Sequence, residues 1–343
     1  MRNIFAVFIF ISLWFPNSAF AILGDVAPLG NPDGSVTLGD AVVAARMAAG
    51  LIPQDANADV AESGSSTMGT SGGGVTITDA WLLARSAIGL PTAADQTYTN
   101  SLGMIFKKHA PVGFDMGSSD GQTPREGDEK SHSVGLTESF YIQATEVTQG
   151  QWKAVMGTTP AHFGYCANCP VEQVSWNDVA QFLVALNARN EGTYDLPTEA
   201  QWEFAVRGGS TTSTYHFGED ANKLKDYAVY YSNSGSKTSI IASKLPNSNG
   251  LYDMYGNVSE WIKDSYSLWA YYKESWPESQ LSKDGQVLNP LWPPDGTADS
   301  GLKSVRGGSW NDQADHARSA DRNFEYPDHR GNNIGFRLVR EAP

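Results

Sequence analysis

The apolar positions of this chain follow three different rhythms. Ile4 to Phe15 is one apolar run, interrupted only by Ser12 and stopped by Pro16. Two later segments, VVAARMAAGL ending at Leu51 and WLLARSAIGL ending at Leu90, place apolar side chains at helical spacing. From residue 100 onward the apolar positions come in short clusters separated by turn residues. Strands are predicted at Phe114–Ser118 and Phe140–Ile142. Thr148 with Gln151 makes a capping box ahead of a helix in TQGQWKAVMG. Ser175 opens a second helix, with Val179, Phe182, Leu183 and Leu186 on one face. Leu196–Ala205 contains a third capped helix, which stops at Gly208-Gly209. The last elements are apolar-edged segments at Val305–Trp310 and Ile334–Arg340, both carrying glycine. Short strands with modest helices and long loops predict an α+β class.

Between those last two segments lies NDQADHARSADRNFEYPDHRGNN, which has almost no aliphatic content. Two readings stand: an Asx-rich surface loop with turns, or a polar, aromatic-dotted surface presented by a fixed frame. In the second reading Trp310, Phe324 and Tyr326 supply rigid contact area. Asn311, Asp312, Asp315, His316, Asp328, His329, Asn332 and Asn333 then supply adaptable polar contacts. Arg318, Arg322 and Arg330 can face a ligand or pair with nearby acids to stiffen the loop. The remaining tryptophans, mostly at element starts, are expected to be core anchors.

Composition and chemistry narrow the setting. Arg2, the run Ile4–Phe15 and the small-x-small site Ala19-Phe20-Ala21 predict a signal peptide over residues 1–21, with a mature chain from Ile22. The expected location is therefore secreted or periplasmic, and no further stretch is apolar enough to span a membrane. A formal net charge of -14 argues against nucleic-acid partners. Of the only two cysteines, Cys166 and Cys169, an oxidising destination predicts a small structural disulfide rather than a redox pair.

Residues 22–95 contain a duplication. Asp25-Val26-Ala27 with Gly34–Ala41 matches Asp59-Val60-Ala61 with Gly73–Ala80, each followed by one of the helix-patterned runs. In the first loop Asn31, Asp33, Ser35 and Asp40 place oxygens as a hard cation requires. The unit resembles the dockerin type of calcium loop plus helix. That resemblance implies an α-helical module, calcium and a cohesin-like or envelope partner. A calcium-free spacer is the alternative.

Residues 96–343 form the main domain. Its ordered motifs FYIQATEVTQGQW, PVEQVSWNDVAQF, LPTEAQWEFAVRGG, GLYDMYGNVSEW, SVRGGSW and NNIGFRLVR resemble the formylglycine-generating enzyme (sulfatase-modifying factor) family. The resemblance implies a C-type-lectin-like fold low in regular structure. It also implies structural calcium at Asn257, the Val258 carbonyl and Glu260. Oxidation of a substrate cysteine in that family depends on two copper-binding cysteines after the GGS motif. Here Asp312 and Ala317 stand at those places, and neither a carboxylate nor a methyl group replaces a thiolate. The flanks around the polar interval also resemble lectin-fold variable proteins diversified by retroelements. The expectation is an exported protein that binds a protein or cell-surface ligand through its C-terminal face. The alternative is a formylglycine-type oxidase or non-heme metal enzyme.

Overall fold

A computed structural model describes residues 96–209, 213–294 and 301–342. The duplicated segment, with Asn31, Asp33, Ser35 and Asp40, and the signal-peptide segment lie outside the described residues. A compact unit begins at Thr97.

Three sheets organise this unit. The first joins β1 (Thr97–Thr99), β2 (Ile105–His109), β5 (Phe140–Gln143), β12 (Val339–Glu341) and β6 (Tyr194–Asp195), in that order. The second joins β10 (Arg322–Glu325), β9 (Lys303–Arg306), β7 (Ser259–Ser265) and β11 (Ile334–Gly335). The third joins β3 (Val112–Met116), β4 (His132–Leu136) and β8 (Val287–Leu288). The pairings are antiparallel except β7 with β11 and β4 with β8.

The helices are few and begin where their caps predict. α1 (Gln149–Met156), α2 (Trp176–Asn187) and α3 (Glu199–Arg207) follow Thr148, Ser175 and Thr198, each closing a reciprocal capping box. Each box satisfies two backbone donors that a helix start otherwise leaves bare. α1 and α3 stop at Gly157 and Gly208 in the left-handed conformation. The short α4 (Leu224–Tyr227) follows.

Two apolar cores hold these layers. One gathers Trp152, Phe182, Trp261, Phe336 and Leu338. The other gathers Trp202, Met254, Tyr255 and Ile262. The tryptophans expected as anchors include Trp152, Trp202 and Trp261, all buried.

Two segment expectations are corrected. Ile334–Arg340 is not one strand. β11 belongs to the second sheet and β12 to the first, with buried Phe336, Arg337 and Leu338 crossing between them. Arg337 makes the crossing possible. Its guanidinium donates to the carbonyls of Gln143 (3.1 Å) and Tyr252 (2.8 Å), acceptors that an apolar side chain would leave bare. The strand at Val305–Trp310 ends at Arg306, because Gly307 and Gly308 turn with φ of 93° and 65°.

Candidate functional site: the C-terminal face

The Gly307-Gly308 turn sets the face. A Cβ at Gly308 would lie 2.6 Å from the His316 carbonyl oxygen, so only glycine fits against that backbone. Ser309 follows, fully buried, with its Oγ 2.6 Å from Asn311 Oδ1 and also bonded to Asp312. Trp310 braces the turn rather than standing free. Its backbone N–H donates to the Asn257 carbonyl (2.9 Å) and its Nε1–H to the Asn332 carbonyl (3.0 Å). Its ring meets Phe163 edge-on at 5.4 Å. Trp310 is half-buried.

The polar interval is not a loose excursion. Ala317 to Arg322 is buried, and β10 pairs with β9 in the register Arg322↔Arg306 and Phe324↔Ser304. Its few aliphatic side chains are offset by buried ion pairs. Arg322 meets both Glu199 oxygens (2.8 and 2.9 Å), and Arg318 meets both Glu129 oxygens (2.8 and 2.7 Å). Arg306 pairs with Glu203, which also holds Arg207 at 2.7 Å. Burial pushes Glu199 up, but Arg322 and Arg306 override it and hold the carboxyl at about 2. Burial likewise opposes, and Arg207 and Arg306 enforce, a lowered Glu203. Removing one partner of such a pair costs about 3–5 kcal/mol, so this backbone is strongly specified.

Above that network the interval opens to solvent. Phe324 is 42% and Tyr326 64% exposed. Asn311, Asp315, His316, Asp328 and His329 are exposed, and Asp312, Asn332 and Asn333 are half-buried. The Asn332 and Asn333 carbonyls accept from Trp310 Nε1 and Ser259 N, which fixes their turn. Arg330 is tied down by Asp178 at the start of α2 (2.7 and 2.8 Å). The three arginines left open by the sequence therefore all pair with acids.

Leu268, Trp269 and Tyr231 were not anticipated on this face. All three are more than half exposed. The Ser267 carbonyl, one residue before Leu268, accepts from Arg322, and Tyr231 N donates to the Asp312 carbonyl at 3.0 Å. Single aromatics in SLWAYY carry no sequence signal that separates them from core.

Beneath the turn lies the expected calcium site. Glu260 is buried, with both oxygens 2.8 Å from Arg337 Nε and one accepting from Trp202 Nε1. Asn257 donates to Glu146 (2.7 Å) and accepts from Ser239 N (2.9 Å), and Val258 N donates to Glu146 (3.0 Å). The Asn257 and Glu260 side-chain oxygens are thus engaged by the protein. Asp253, in the same motif, keeps a buried Oδ1 without a hydrogen-bond partner. Burial pushes Asp253 up to about 6, and burial with Asp253 and Glu260 raises Glu146 well above the carboxylate range. Three buried acids around one arginine are an environment that a hard cation relieves. Asp253 Oδ1 is thus the carboxylate oxygen of this cluster left without a protein donor, whereas Asn257 Oδ1 accepts from Ser239 N.

The thiol positions complete the picture. Cys166 and Cys169 form the expected disulfide, Cα atoms 5.3 Å apart. Ala317 is fully buried, and Asp312 is bonded to Ser309.

Comparison with known proteins agrees with this geometry. The Sulfatase-modifying factor enzyme 1-like domain matches residues 111–342. Serine/threonine-protein kinase Pkn1 of Chlamydia trachomatis is 34% identical over 179 residues, 52% of this chain and 25% of that protein. Formylglycine-generating enzyme of Streptomyces coelicolor is 32% identical over 189 residues, 51% of this chain and 54% of that protein. The chain thus spans a quarter to about half the length of these curated relatives. Among solved structures, Treponema denticola variable protein 1 superposes with a TM-score of 0.60 at 29% identity, covering 72% of this chain and 98% of that one. The motif order, the mixed sheets with few helices and the domain match together place this chain in the sulfatase-modifying factor (formylglycine-generating enzyme-like) family.

Proposed function

We propose that this protein is an exported ligand-binding member of its family, presenting the C-terminal face to a protein or cell-surface ligand without formylglycine-forming chemistry. The observation that carries this reading is the division of labour in one segment. Arg318 and Arg322 are locked in buried ion pairs, while Phe324, Tyr326, Asp328 and His329 stand exposed on the backbone those pairs position. Side chains so placed can change without disturbing the core. The similarity to a protein named a variable protein supports the same division. Against oxidase chemistry, the only two thiols are joined to each other, and Ala317 offers a buried methyl group where the family keeps a cysteine.

Two further elements belong to the proposal. Calcium is held beneath the turn by Asp253 with neighbouring carbonyls and acids, which stiffens the frame, and it is also held by the loop of Asn31, Asp33, Ser35 and Asp40. Residues 22–95 dock to a cohesin-like or envelope partner. Among the described residues no helix is long and apolar enough to cross a membrane.

The test is binding of the mature protein to an array of cell-surface proteins and glycans, with wild type beside Tyr326→Ala/Asp328→Ala. Binding that the double variant loses while its melting temperature holds supports the reading. Ligand affinity equal in both proteins, or no ligand across the array, counts against it.

A further inference from the structure

Three ligand-type side chains from separate segments meet at one point. Glu126 comes from the loop between β3 and β4, His316 from a 3-10 turn at Ala314–His316, and Asp321 from the buried run ahead of β10. One ligand atom of each lies within 4.8 Å of the other two. We propose that Glu126, His316 and Asp321 bind one zinc-class divalent cation, with a remaining coordination position open to solvent.

Donor chemistry sets the class. An imidazole nitrogen with two carboxylate oxygens is a set that zinc takes at about 2.0–2.2 Å, with water completing a tetrahedron. Calcium and magnesium take oxygen donors instead. Copper(I) prefers thiolates, and both cysteines are in the disulfide. Two carboxylates also match the charge of a divalent ion.

The site is partly built. Asp321 is nearly fully buried, and its Oδ1 accepts from Arg318 at 2.7 Å. Arg318 is already neutralised by two bonds to Glu129, so it orients Asp321 rather than consuming its charge. A ligand carboxylate steadied by a second hydrogen bond is the usual arrangement around a bound metal. The His316 backbone is packed against Gly308, which fixes where the ring starts. His316 Nδ1 lies 3.7 Å from Asp321 Oδ1, too far for a hydrogen bond but close enough for both to reach one ion. Glu126 and His316 are exposed, so small rotations close the triangle. A bound ion would pin the loop of Glu126 to the C-terminal segment, and it would make His316 a ligand rather than a contact residue.

This inference stands apart from the ligand-binding reading and is tested without any partner. The mature protein is stripped with chelator, then titrated with zinc against a chromogenic competitor, and with cobalt(II) as a spectroscopic probe. Wild type is compared with Glu126→Gln/His316→Gln, whose positions are exposed and leave the metal-free melting temperature unchanged. Asp321 is left intact because Arg318 depends on it. The expected result is one zinc site that the variant binds at least about tenfold more weakly, with loss of the imidazole-dependent cobalt absorption. If the double variant is unstable, Glu126→Gln alone gives the same comparison. Equal affinity in wild type and variant, or no zinc binding by wild type, overturns the proposal.

Discussion

Phe324 rests on Tyr266, with ring centroids 4.5 Å apart and planes inclined at 36°. Arg322, two residues earlier on the same strand, lies 4.9 Å from the same ring. The outermost large aromatic of β10 is therefore coupled to the buried network through one tyrosine, whereas Tyr326 has left the strand and is 64% exposed. The two aromatics expected from the sequence to behave alike do not. Phe324→Ala is expected to cost about 1 kcal/mol through lost ring packing. Tyr326→Ala should stay within about 0.5 kcal/mol of wild type. Chemical denaturation of both single variants measures the difference, and equal losses would refute it.

The Arg322–Glu199 pair predicts a much larger effect. Arg322→Met leaves Glu199 buried without its main partner, and Glu199→Gln leaves the guanidinium with Asp128 (3.5 Å) as its remaining carboxylate. Either change should destabilise by about 3–5 kcal/mol. The double variant should recover part of that loss, as a shared interaction requires. Strict additivity in a double-mutant cycle would show that the two residues act separately.

The same pair fixes an acid limb. Arg322 and Arg306 hold the folded Glu199 carboxyl at about 2, below the ordinary 4.5, so its stabilisation is present above 4.5 and disappears as pH falls through about 2. At this carboxyl the unfolded chain binds more protons in that window, so its contribution falls with acidification there. The contribution is on the order of 3 kcal/mol. His109 and His216, lowered to about 4 by burial, add a loss of the same sign as pH falls from the ordinary histidine value of 6.5. Glu199→Gln is expected to flatten the lower window alone. Unfolding curves collected from pH 6 down to pH 2 would expose an unchanged slope, if the assignment to Glu199 is wrong.

Calcium should raise the melting temperature, because a ligand bound only by the folded state stabilises it. Asp253→Asn should abolish the part of that rise due to the main domain, and EDTA should reproduce the loss in wild type. Residues 22–95 carry the other proposed loop, so the comparison uses Asp33→Asn/Asp40→Asn as a second arm. A calcium response untouched by Asp253→Asn would remove Asp253 from the site.

Formylglycine formation is expected to be absent. Incubation of the protein with a sulfatase-type cysteine peptide, copper and oxygen should give no aldehyde above a heat-inactivated control. Mass spectrometry of the peptide decides it, and turnover would revive the oxidase reading.

Local chemistry was sufficient for much of this protein. Capping boxes at Thr148, Ser175 and Thr198 depend on contacts three residues apart, and each begins its helix as expected. The Cys166–Cys169 bridge is equally local. The family follows from motif order along the chain. What only the tertiary structure decided is which charges are buried. In DHARSADRNF, Arg318 and Arg322 look like surface residues, yet their carboxylate partners stand 189 and 123 positions earlier. A charged side chain enters the interior only when a distant segment delivers its counter-charge, and no local pattern records that delivery. The same long-range pairing made Trp310 a brace, divided Ile334–Arg340 between two sheets and brought Glu126 to His316.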